Sequence, residues 1–129
     1  MKLLVDTHAV IWFINNSNQL PKGAKQIIAN AGNWCYVSIA TFWEIAIKTS
    51  LGRLDLKADL SKIFQIIDDS GFEILPITIP HILTNSNLPF HHQDPFDRII
   101  ISQAIVEDLT VISKDNQFAK YDIKVVWSS

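Results

Sequence analysis

Thirteen acidic residues stand in this sequence, ten Asp against three Glu (Glu44, Glu73 and Glu107). Solvated helix faces favour Glu, because the short Asp side chain competes with the helical backbone for hydrogen bonds. The Asp excess therefore asks for a local explanation. Asp6, Glu44, Asp97 and Asp115 fall where they could act together. Carboxylates that converge on one pocket are ligands for a hard divalent cation, and a cation held that way can face a phosphate. Two like charges about 4 Å apart repel by roughly 4 kcal/mol at an effective dielectric of 20. Several such pairs rival the ~5–15 kcal/mol total stability of a domain, so a bound cation is almost required. An all-oxygen site selects Mg²⁺ or Mn²⁺, and the lack of a Cys/His cluster argues against zinc. His91 and His92 are adjacent rather than at i,i+4 spacing and read as loop residues.

Converging acids need a scaffold. Lys2-Leu3-Leu4-Val5 is a short apolar run followed at once by Asp6-Thr7-His8, which reads as a buried strand meeting a helix that carries Ala9 to Ile14 and ends at Asn15 and Asn16. Pro21 at a first helical position, the stretch Ala24 to Ala31 and Gly32 as a stop give a second helix. Trp34 to Val37 favours a strand, and Ser38 to Ser50 a helix stopped by Gly52. Residues 59–70 form a further helix with Gly71 as its stop, then 73–77 a strand that Pro76 ends or places at an edge. Pro80 opens a short helix to Asn85, and Asp94-Pro95 a long one to Glu107. Thr110 to Ile112 and Lys124 to Trp127 are the last strands, around a helical turn from Gln117 to Tyr121. Strand and helix alternate over residues 1–129, the pattern of a single α/β domain with a mostly parallel sheet and helices on both faces.

In open parallel sheets, ligands bind beyond the carboxyl ends of the strands, where strand order reverses. Asp6 follows the first strand, Ser38 the second, and Ser113-Lys114-Asp115 the Thr110 strand. Glu44 lies one turn into the next helix within the apolar stretch Phe42 to Ile47, and Asp97 in the first turn of the helix carrying Ile99 to Ile101. Each acid has a local alternative. Asp6 and Asp115 suit helix caps. Thr41-x-x-Glu44 suits a capping box. Asp94 suits an N-cap before Pro95, and Asp97 the positive end of the helix dipole.

Composition excludes several classes. With 48% hydrophobic and 19% charged residues, the chain has the apolar material for a core and is not disordered. Its longest apolar run, Ala9 to Ile14, is far short of the ~20 residues that cross a bilayer. One cysteine, Cys35, allows no internal disulfide, and Met1 to Asp6 has no signal-peptide pattern, so a reducing, cytoplasmic location is expected. A net charge of -2 lacks the basic footprint of most nucleic-acid binders. If four acids belong to an ion site, however, nine remain against eleven basic residues.

Three stretches carry a family resemblance: Leu4-Val5-Asp6-Thr7-His8 with Trp12; Val37-Ser38 through Trp43-Glu44-Ile45-Ala46-Ile47-Lys48 with Leu51-Gly52-Arg53-Leu54; and His92-x-Asp94-Pro95-Phe96-Asp97-Arg98 with Ile101 and Gln103-Ala104. Over essentially its whole length the chain resembles the PIN-domain ribonucleases, and most of all the VapC-like toxins of bacterial toxin–antitoxin pairs. The resemblance implies a PIN fold with a parallel five-stranded sheet, and an acid quartet of Asp6, Glu44, Asp97 and Asp115. It also implies hydrolysis of RNA phosphodiester bonds with one or two Mg²⁺ or Mn²⁺ ions, a homodimer, and silencing by a small antitoxin protein. In that setting Thr7 and Ser38 are candidates to hold metal-bound water, and Asp94 to join the site or merely cap its helix. Lys48 and Arg98 are candidates for phosphate contact, with a solvated charge or an ion pair as the alternative. Trp12, Phe13 and Trp43 read as core rather than as a dimer or antitoxin surface.

Rival classes fare less well. A dehalogenase-type phosphatase would place a second Asp two residues after the first, where His8 stands. A receiver-like domain carries paired acids after its first strand, unlike Asp6-Thr7. A catalytically inactive PIN-like module that binds RNA or protein without cutting is the remaining alternative.

Overall fold

The computed structural model describes residues 1–127. Strand β1, Lys2–Val5, decides the layering: Leu3 and Val5 turn to one face, Leu4 to the other, and all three are fully buried. A stretch without a wet side must be apolar, which accounts for the uninterrupted Leu3-Leu4-Val5 run after the exposed Lys2. Four more strands extend it into a parallel sheet, β2 (Trp34–Ser38) and β4 (Thr110–Ile112) pairing with β1 itself, β3 (Glu73–Leu75) with β2 and β5 (Val125–Val126) with β4, in the order β3-β2-β1-β4-β5. Register aligns Leu4 with Tyr36 on one side and with Val111 on the other.

Among the described residues six α-helices cover the sheet: α1 (Thr7–Ile14), α2 (Lys22–Ala29), α3 (Ile39–Ser50), α4 (Leu60–Asp69), α5 (Ile79–Ser86) and α6 (Pro95–Glu107). Val10, Ile28, Ile45, Ile63 and Ile67 from the first four pack on the face formed by Leu3, Val5, Val37 and Ile112. Ile100, Ile101 and Ala104 of α6 pack on the other, with Leu4, Val111 and Phe118. Each such aliphatic side chain contributes about 1.5–3 kcal/mol by leaving water. The expected α/β class, five-stranded parallel sheet and two-sided covering are all observed.

Some local expectations are corrected. Helix α2 ends at Ala29 with Asn30 extended (φ -68°, ψ 118°), two residues before the expected limit, so Gly32 is not its stop. Gly52 and Gly71 do take the left-handed conformation that ends a helix, at φ 71° and 89°. Strand β3 stops at Leu75, because Pro76 has no N–H for the ladder. Trp12 and Phe13 are half-buried against the core, as expected of core aromatics. Trp43 is not core: it is 61% exposed and meets Phe96 edge-on, with ring centroids 5.3 Å apart. Its helix buries Phe42, Glu44 and Ile45, which leaves position 43 on the outer side.

Candidate active site

Strand order reverses at β1, which leads to β2 on one side and is flanked by β4 on the other. The residues that follow β1 and β4 therefore open onto one crevice. Asp6 stands there at the N-cap of α1, its Oδ1 accepting the Ala9 N–H at 2.8 Å while its own N–H donates to the Ile112 carbonyl at 3.1 Å. Capping and facing the pocket are thus combined in one residue. Burial raises the Asp6 carboxyl above the usual Asp range, more than the Ser113 hydroxyl and the Ala9 amide lower it.

Glu44 is only 2% exposed and is held from two sides. Thr7 donates its hydroxyl to Oε1 at 2.7 Å and lies 3.0 Å from the Thr41 hydroxyl, and Lys48, one turn along α3, pairs with Oε2. The capping box through Thr41 is not formed. Helix α3 starts at Ile39 with Ser38 as its cap, the Ser38 hydroxyl accepting the Ala40 N–H at 3.0 Å, so Thr41 and Glu44 both lie inside the helix. Burial lowers the Lys48 ammonium pKa, but the hydrogen bond and charge of Glu44 more than offset it and leave the ammonium above its ordinary value.

Asp94 caps α6, accepting the Phe96 N–H at 2.8 Å, and Pro95 takes the first helical position. Asp97 follows in that turn. Burial, then the charges of Asp94 and Glu44, push its carboxyl up to about 7. Asp115 caps the 3-10 turn Asn116–Lys120 through the Gln117 N–H at 2.9 Å and meets His92 Nε2 with its other oxygen, also at 2.9 Å. Burial alone would raise this carboxyl, but those two hydrogen bonds and the nearby histidines bring it below its ordinary value.

Asp6, Glu44, Asp94, Asp97 and Asp115 all line one cavity of about 350 Å³, together with Lys48. His8, Trp12, Lys114 and Phe118 complete its wall, and none of these had been singled out as site residues. Ser113 belongs to this site as well. Its hydroxyl accepts the Asp115 N–H at 3.0 Å and lowers the pKa of the Asp6 carboxyl, so it acts on two acids. Its place two residues before Asp115 was the available signal. His92 lies in the loop before α6, as expected, and one of its ring nitrogens and one oxygen each of Asp97 and Asp115 lie within 4.8 Å of one another. Thr7 and Ser38 are buried and committed to Glu44 and to the α3 cap.

Arg98 departs most from expectation. It is 7% exposed, and its guanidinium donates to the carbonyls of Asn85, Leu88, Pro89 and His92 at 2.9–3.3 Å, with Cζ 4.2 Å from the Phe90 ring centre. It is absent from the cavity wall, and a phosphate contact does not fit this placement.

The parallel α/β sheet thus opens an acid-lined crevice at its switch point, the place where ligands bind in folds of this class. Residues 3–124 match the PIN domain family model, and the chain belongs to that family. No curated protein sequence matches it. Among solved structures it is similar to a chain of VapBC2 from Rickettsia felis bound to a DNA fragment from their promoter (17% identity, TM-score 0.73, covering 99% of this chain and 100% of that one). It is also similar to chains of DNA-bound VapBC from Salmonella typhimurium (16% identity, TM-score 0.69, 98% and 97% covered) and of FitAcB from Neisseria gonorrhoeae (21% identity, TM-score 0.65, 95% and 95% covered). At these identities the likeness is one of fold.

Proposed function

We propose that this protein is an endoribonuclease that uses Mg²⁺ or Mn²⁺, and that it is the toxin of a toxin–antitoxin pair, silenced by a small antitoxin protein and working as a homodimer. The convergence of Asp6, Glu44, Asp97 and Asp115 on one cavity carries the reading. The donors fit a hard divalent ion: they are carboxylate oxygens, partly or wholly buried, and the Glu44 partner Lys48 offsets only part of their charge. Asp6, Glu44, Asp97 and Asp115 would hold one or two ions, which supply an activated water and neutralise charge on the scissile phosphate.

The chain's own residues set the stage for that chemistry. Thr7 fixes one Glu44 oxygen and Lys48 the other, so this carboxylate cannot swing out of the pocket. The Ala9 amide fixes Asp6 in the same way. Lys114 on the cavity wall supplies a positive charge for a phosphate oxygen. Support for the toxin role comes from the VapBC and FitAcB neighbours.

Purified protein incubated with a mixed RNA pool should cleave it with Mg²⁺ or Mn²⁺, should not with EDTA, and should lose cleavage on Asp6→Asn. Equal cleavage by wild type and Asp6→Asn would refute the assignment.

A further inference from the structure

We propose that His92 is a positioning residue: it holds the Asp115 carboxylate in the pocket, and its imidazole does not itself bind the ion. The proposal rests on the metal-site reading above. Asp115 needs such support more than the other acids. It stands at the cap of a five-residue 3-10 turn with its side chain 41% exposed, whereas Asp6 and Glu44 are buried at the ends of long-range hydrogen bonds or helix caps. One Asp115 oxygen is taken by the Gln117 amide, and His92 Nε2 meets the other.

His92 in turn has every polar group engaged. Its backbone N–H donates to the Tyr121 hydroxyl at 2.9 Å, its Nδ1 lies 3.2 Å from that same oxygen, and its carbonyl accepts from Arg98 at 3.3 Å. The ring lies edge-on to Phe118, with centroids 4.9 Å apart, and its side chain is 9% exposed. The ionised Asp115 carboxylate can only accept, so the ring proton sits on Nε2, aimed at it, and Nδ1 faces the Tyr121 hydroxyl as an acceptor. A protonated nitrogen has no lone pair for a cation, so His92 acts through the carboxylate. The short distances among His92, Asp97 and Asp115 also suit direct ligation, and the experiment must separate the two roles.

The test is titration of the metal-free full chain with Mn²⁺ alone, with affinity read by calorimetry and coordination by pulsed electron paramagnetic resonance. Wild type should bind Mn²⁺ with no nitrogen coupling that depends on residue 92. His92→Phe should bind about 10–100-fold more weakly, and His92→Gln, which keeps an N–H donor at that reach, should recover most of the loss. A nitrogen coupling in wild type that vanishes in His92→Gln would overturn the proposal, and that reading does not depend on how His92→Phe folds. So would a His92→Gln no better than His92→Phe, or wild-type affinity in His92→Phe while Asp6→Asn abolishes binding, and the metal reading would survive each of these. Failure of wild type to bind Mn²⁺ overturns both.

Discussion

Asp97 carries the sharpest electrostatic conflict in the pocket. Burial and the charges of Asp94 and Glu44 hold its carboxyl at about 7, against 3.8 for an ordinary Asp. Between those values the folded state binds a proton that the unfolded chain has released. The metal-free protein is therefore favoured at and below the lower value and loses stability as pH rises through the window. Thermal unfolding in EDTA should show the wild-type melting temperature falling from pH 5 to pH 8 more steeply than that of Asp97→Asn. At pH 8 the variant should melt about 3–6 °C higher, equivalent to about 1 kcal/mol in a domain of this size. Parallel pH profiles would show that Asp97 is not under that strain.

At the scale of elements, the acids were legible because each sits at a boundary that the sequence marks: after a buried β-run, or in the first turns of a helix opened by Ser38 or Asp94-Pro95. His92 and Arg98 were not, because their partners are set by the fold. Asp115 is 23 positions from His92 in sequence, and the carbonyls that Arg98 reaches lie at the end of α5 (Asn85) and in the turn between α5 and α6, which no spacing rule reports. Arg98 is what fixes that turn onto α6, and with it the backbone of His92. Arg98→Met should therefore destabilise the fold by about 3 kcal/mol, since one buried and three part-buried carbonyls lose a charged donor at once. Urea unfolding would show it as a lower midpoint. Unchanged stability with weakened RNA binding would return Arg98 to the phosphate-contact role.

For the whole molecule, the alternation of strands and helices was enough to give the class and the parallel sheet, whereas the strand order β3-β2-β1-β4-β5 emerges only from the pairing. That order puts Asp6 beside Ser113 and Asp115 and makes one acidic cavity from distant segments. A fold that gathers so many carboxylates stores repulsion that a divalent cation relieves, and a ligand bound only by the folded state stabilises it by mass action. The most direct measurement is the melting temperature at neutral pH with and without saturating Mg²⁺ or Mn²⁺, beside Asp6→Asn. At an ion concentration 100-fold above the dissociation constant, stabilisation is about 2.7 kcal/mol, so wild type should melt roughly 8–16 °C higher with the ion while Asp6→Asn gains little. A wild-type melting temperature unmoved by either ion would contradict the account.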